Sequence, residues 1–245
     1  MHCLSRTVRR AFLCGRDAFS GRDFEHRRGW IEKRIEVLAG QFGIAVLGFS
    51  VMSTQLHIVL RNRPEIVAGW SDAEVARRWR MLSPARRGDA GSPAEPSEPE
   101  LNSIVNNAAF LLEVRARLSD ISWFMKMIAE PIARRANREG QCTGHFWEGR
   151  FKSIKLCDEA AILACGVYVD LNPIRAGIAQ TPETSDHTSG KLRSAALAGE
   201  REVGEKPSPN NVAWASCPGV PPTPDGGAYL PTSPQHPTEC LPVPR

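Results

Sequence analysis

No apolar run in this 245-residue chain reaches the roughly 18 residues that a membrane-spanning helix needs. The first residues, Met1-His2-Cys3-Leu4-Ser5-Arg6, lack the apolar core of a signal peptide. Cysteine occurs seven times, at 3, 14, 142, 157, 165, 217 and 240, yet without a CxxC pair or a Cys/His zinc spacing. These absences exclude a helical membrane protein and the zinc modules that a sequence displays. The default expectation is a cytoplasmic protein with reduced thiols and no membrane partner. A strong charge of one sign is missing as well. Lys and Arg outnumber Asp and Glu by only 31 to 27. The distribution of charge, rather than its total, must therefore indicate any nucleic-acid partner. Tyrosine is scarce, present only as Tyr168 and Tyr229.

The chain centres on Ile44 to Leu60. Ile44-Ala45-Val46-Leu47-Gly48-Phe49 is an apolar run of strand length. After Ser53-Thr54-Gln55 the residues alternate, with Leu56, Ile58 and Leu60 on one side and His57 and Val59 on the other. The pattern predicts two strands joined by a turn. Gln55 and His57 are two apart, so both side chains leave one face. A carboxamide oxygen beside an imidazole can bind a divalent ion; the plain alternative is a solvated polar pair on a half-exposed strand.

Around this hairpin the other elements follow in order. A first strand begins almost at residue 1, so part of the first element is expected to be missing, and a basic turn with Arg9 and Arg10 follows it. Residues 22 to 42 have helical spacing, and Gly43 is expected to end that helix as a left-handed cap. Up to Arg63 there are eleven Lys or Arg against five Asp or Glu. Ser71-Asp72-Ala73-Glu74 has the form of a capping box and starts a short helix. Residues 84–100 are rich in Pro, Gly, Ser and Glu and read as a flexible insertion. A helix is predicted over 101–118, and another over 121–138 with a kink or restart at Pro131. An apolar helix from 158 to 171 is expected to stop at Asn172-Pro173. Eleven of the nineteen prolines fall in 207–245, which predicts a disordered tail.

Basic and aromatic residues meet late in the chain. Arg134, Arg135 and Arg138 close one helix. The Gly-rich loop after it carries Phe146, Trp147, Arg150, Phe151 and Lys152, aromatics alternating with cations. Between 134 and 155 there are six Lys or Arg against two acids. Such interleaving suits unstacked bases and phosphates. The same aromatics would equally serve to plug a core.

Four segments carry a resemblance when taken together. They are Met52-Ser53-Thr54-Gln55-Leu56-His57, the helix from Ile121 through Asn137-Arg138, the loop from Thr143 to Ser153, and Tyr168 through Asn172-Pro173-Ile174-Arg175-Ala176-Gly177. Residues 2–187 resemble the single-tyrosine HUH transposases, most closely the branch of REP-associated tyrosine transposases. The resemblance implies an α+β fold, a ferredoxin-like antiparallel sheet with helices on one face, over 1–187, with 188–245 as a Pro-rich tail. It implies single-stranded or hairpin DNA as partner, Mg²⁺ or Mn²⁺ as cofactor, and a tyrosine nucleophile that forms a 5′-phosphotyrosine link. It also implies a nucleoid-associated protein in DNA transposition, and a homodimer is possible within this family.

Two motif positions differ from the family. Gln55 stands where its first metal histidine would be, so only His57 matches. Pro131 stands where its nucleophile would be, and Arg135 follows where a glutamine ligand is usual. The candidate metal ligands are then His57 and Gln55, and the candidate nucleophile is Tyr168, otherwise a packed helix residue. The candidate nucleic-acid contacts are Arg9, Arg10, Arg134, Arg135, Arg138, Phe146, Trp147, Arg150 and Lys152. One reading is a transposase rebuilt around Tyr168. Another is a relative that binds DNA and no longer cuts. A third is a metal-independent RNA-binding module with Phe146, Trp147 and Phe151 as a stacking platform.

Overall fold

The computed structural model describes residues 1–9, 11–88, 93–182 and 184–194. Arg10 and the expected disordered tail from 195 onward lie outside the described residues. The hairpin forms as the alternation predicts: β2 is Ile44–Val51 and β3 is Gln55–Asn62, paired antiparallel, with His57 opposite Ser50. On the other side of β3 lies β1, His2–Arg6, with Leu4 opposite His57 and Arg6 opposite Gln55. β1 then pairs with β4, Lys152–Ile154, which places Lys152 opposite Leu4. The order β2-β3-β1-β4, all antiparallel, is the ferredoxin-like arrangement.

Helices pack around this sheet. α1 is Arg27–Gln41 and α6 is Ile121–Gly140. Both bury their apolar faces with Leu56, Ile58 and Leu60, the inward set of β3. Phe124 of α6 sits edge-on to Phe42 at 5.3 Å and is fully buried. The segment between β3 and α6 supplies α2, Pro64–Ala68, α3, Asp72–Leu82, α4, Glu98–Val105, and α5, Ala108–Arg117. The Ser71 cap forms, its hydroxyl accepting from the Glu74 amide. Helix α7 is Glu159–Arg175. It lies across β2 and β3 on the face that carries His57. The helices thus cover both faces of the sheet, correcting the expectation of one face.

Several boundaries differ from the sequence reading for identifiable reasons. The predicted 101–118 helix is two helices, because the Asn107 side chain caps the second one by accepting from the Phe110 amide at 3.1 Å. α6 runs through Pro131 without restarting. Proline removes the amide that would have bonded the Met127 carbonyl. Arg34 of α1 replaces it, its Nε donating to Met127 O at 2.8 Å. α7 likewise continues past Pro173 to Arg175. Gly43 is not a left-handed cap, since Phe42 is extended at the end of α1 and Gly43 has no positive φ. Its requirement is close packing: a Cβ there would lie 2.1 Å from Val67 Cγ2.

Residues 188–194, assigned from sequence to the tail, pack against β2 and α7. The Phe49 amide donates to Ser189 Oγ at 2.9 Å, and Ser189 donates to Asp170 at 2.8 Å. Arg193 also pairs with Asp170, and it donates to the Leu47 carbonyl at 3.2 Å, where a bulge between Val46 and Gly48 breaks the ladder. The folded unit therefore extends past 187. Among the described residues no helix is long and apolar enough to cross a membrane.

Candidate nucleic-acid interface

His57 and Gln55 leave the same face of β3, as their spacing requires. On the neighbouring strand the register adds His2 and Arg6 to that face. His2 Nε2 lies 3.1 Å from His57 Nδ1, and the Gln55 amide is 3.2 Å from His57 Nε2. The two rings are nearly coplanar, 17° apart, with centres 5.3 Å apart. That separation is about the N···N distance plus two ring radii, so the rings meet nose to nose and a single N–H lies between them. The Gln55 amide orientation follows from Arg6. With its oxygen toward the guanidinium, Gln55 accepts from Arg6 Nη2 at 2.7 Å and Nε at 3.2 Å, and its NH₂ donates to His57 Nε2. His57 Nδ1 must then carry the proton and donate to His2 Nε2, which assigns both tautomers from the network.

Tyr168 of α7 closes over this pair. Its ring stands edge-on to His57 at 6.0 Å and to His2 at 6.2 Å, and Arg175 lies 5.8 Å from its ring centre. Tyr168 is 41% exposed rather than packed away, which corrects its expected role as a helix core residue. Sequence reasoning named Tyr168, Gln55 and His57 but missed His2 and Arg6. The only signal for those two was the alternation of a strand starting at residue 2.

The electrostatics of the cluster follow from burial. His57 is 5% exposed. Burial first, then the nearby His2 and Arg6, holds its imidazole down at about 4. Burial and the neighbouring N-terminal ammonium lower His2 as well. Both rings are therefore neutral at pH 7. An unfolded histidine takes its proton near 6.5, whereas folded His57 resists it down to about 4. The unfolded chain binds more protons throughout that window, so stability must fall as pH drops from about 6.5 to 4. The expected loss assignable to His57 is about 2–3 kcal/mol. Denaturant titrations at pH 7 and pH 4 check this. In His57→Asn the acid loss should shrink; an equal loss in both proteins would refute the assignment.

The cluster does not suit a divalent metal. Both nitrogens of His57 already have protein partners, the Gln55 oxygen faces a guanidinium, and the His2 nitrogen that faces His57 is engaged by it. Among the described residues no group of three His, Cys, Asp or Glu side chains gathers in a metal-holding arrangement. Gln55 and His57 are thus brought together, but as partners of one another, because Arg6 supplies the charge that the carboxamide oxygen prefers.

The expected nucleic-acid residues divide between the two sides of the sheet. Lys152 shares the His57 face through its register with Leu4. Most of the others lie along α6, on the opposite side. Trp123, Trp147, Phe151, Lys126 and Arg150 line a groove of about 350 Å³. Lys126 sits over the Trp123 ring at 4.5 Å, and Trp147 Nε1 donates to the Ala129 carbonyl at 2.8 Å. Further along, Arg34, Arg87, Arg134, Arg135 and Arg138 line a larger concavity of about 690 Å³ together with Glu130. Arg134 pairs with Glu130, and Arg135 stacks on Trp30 at 3.7 Å. Arg9 is exposed just beyond β1.

Phe146 is a correction. It is 6% exposed, held edge-on to Trp147, and so cannot stack a base. The backbone explains its burial. Val8 donates to the Phe146 carbonyl at 3.0 Å and Glu148 to the Arg6 carbonyl at 2.8 Å. These bonds extend the β1 edge through residues 146–148 and turn Phe146 inward while Trp147 faces α6. Compared with known protein families, curated proteins and solved structures, the chain matches none.

Proposed function

We propose that this protein binds single-stranded or hairpin DNA, on a transposase-like frame that has given up metal-dependent cleavage. The observation that carries this reading is the α6 surface, where an aromatic groove adjoins an arginine-lined concavity. Trp147 and Phe151, half-exposed in this groove, are the aromatics available to unstacked bases, with Lys126 and Arg150 beside them for phosphates. Trp123 instead packs edge-on to Trp79, with Arg117 at 4.3 Å and Lys126 at 4.5 Å over its ring, and so forms the groove wall. The five arginines of the second concavity offer the charge that a phosphate backbone requires. Along the helix, Lys126 and Arg134 are about 12 Å apart at 1.5 Å per residue. One strand can cross both. Such a partner would keep the protein at the nucleoid. The exposed apolar stripe Leu163, Val167 and Leu171 on α7 supports a homodimer.

The test is anisotropy with labelled hairpin, single-stranded and duplex DNA at several salt concentrations. Hairpin and single strand should bind more tightly than duplex, with affinity falling steeply as salt rises. Phe151→Ala should weaken single-strand binding about tenfold, the equivalent of one lost stacking contact, and leave duplex binding unchanged. Equal affinity for every polyanion, or none, would sink the reading.

A second reading has one geometric support, the position of Tyr168 against two neutral imidazoles. A working nucleophile there would leave a covalent protein–DNA adduct, absent in Tyr168→Phe and in His57→Ala.

A further inference from the structure

We propose that on the His57 face of the sheet the Arg6 guanidinium takes the place of a divalent ion, and that this face holds a nucleic-acid phosphate without metal. The inference rests on the DNA-binding reading and adds to it a second contact site, remote from α6. Three observations carry it.

The first is that the hydrogen-bond chain is complete. Arg6 donates to the Gln55 oxygen, Gln55 donates to His57 Nε2, and His57 Nδ1 donates to His2 Nε2. Two imidazoles that chelate one ion aim their lone pairs at a common point off the line between them. Here the two nitrogens face each other along the line of the ring centres. A metal would have to break two of these bonds and then sit beside a guanidinium.

The second is that spare donors collect on the same face. A guanidinium has five N–H groups, of which Gln55 uses two, leaving three. His2, with Nε2 accepting, carries its proton on Nδ1. Lys152 is the register partner of Leu4, which lies two residues along β1 from Arg6. Arg175 approaches over Tyr168.

The third is that these cations have no carboxylate to neutralise them. Among the described residues no Asp or Glu forms an ion pair with Arg6, Lys152 or Arg175. The Arg-rich concavity on α6, by contrast, contains Glu130. A phosphate is the anion suited to this geometry, since planar N–H pairs match two phosphate oxygens. Gln55 then has a role unrelated to ligation: it fixes the guanidinium plane and the His57 tautomer together.

The experiment uses the full chain and two readouts. Thermal melting is followed with and without Mn²⁺, and hairpin DNA binding is followed with Mn²⁺ or with EDTA. Mn²⁺ should leave the melting temperature of the wild type unchanged and should raise that of a Gln55→His/Arg6→Ala variant. DNA binding should be equal in Mn²⁺ and EDTA. Arg6→Ala should weaken it about tenfold and Lys152→Glu at least as much, with circular dichroism unchanged. A Mn²⁺-dependent rise in wild-type melting temperature, or binding lost in EDTA, overturns the proposal. Binding indifferent to both substitutions overturns it while leaving the α6 reading intact. A wild type that binds no DNA under any condition defeats that reading too.

Discussion

With Arg134 and Arg138 both replaced by Glu, affinity for hairpin DNA should drop about 100-fold at moderate salt. Both side chains are exposed on α6 and line the concavity with Arg34, Arg87 and Arg135. The double variant removes two cations and adds two anions, so phosphates that were attracted are repelled. The slope of log affinity against log salt should shrink by about 1.4, at roughly 0.7 per single-strand phosphate. A side effect on folding must be separated. The carboxylate introduced by Arg134→Glu would face Glu130 one turn away, in place of the present ion pair, which costs only a few tenths of a kcal/mol. A melting temperature near the wild-type value alongside a large affinity loss is the expected outcome. Unchanged affinity would mean that the concavity is merely a solvated helix face.

The largest effect on stability is expected from Phe124→Ala. Phe124 is fully buried beneath α1 and edge-on to Phe42. Removing an aromatic ring from such a site costs about 3–5 kcal/mol. At about 2–4 °C per kcal/mol for a chain of this size, the melting temperature should fall by about 6–20 °C. Urea titration supplies the free energy directly, and Phe124→Leu, which refills most of the space, should recover more than half of it. A loss under about 1 kcal/mol would show that α6 is not clamped to α1 at this point. Trp123 and Lys126 sit on the same turn of the helix, so this clamp also sets where the aromatic groove stands.

The core was legible wherever a side-chain period was strong. Leu56, Ile58 and Leu60 on β3, and Phe124, Ile128 and Ile132 on α6, are buried as their spacing requires. Prolines and asparagines misled in opposite directions. Pro131 and Pro173 read as breaks, yet a long helix tolerates one missing amide when a neighbour such as Arg34 satisfies the freed carbonyl. Asn107 read as helix interior, although its side chain caps a new start. Phe146 and Trp147 are adjacent and chemically alike in sequence. The extension of the β1 edge alone decides that one is core and the other lines a groove.

The sequence by itself determined the hairpin, the shared face of Gln55 and His57, the basic end of α6 and the α+β class, because each depends on residues close along the chain. Only the tertiary structure decided what those residues do for one another. It brought His2 and Arg6, about fifty residues away, beside His57 and Gln55, and so turned a candidate metal pair into a closed hydrogen-bond chain. It set Tyr168 over that chain and placed the α6 arginines on the opposite side of the sheet. Strand register and helix packing fix such neighbours, and neither is a local property: a shift of one residue would have turned His2 and Arg6 to the other face.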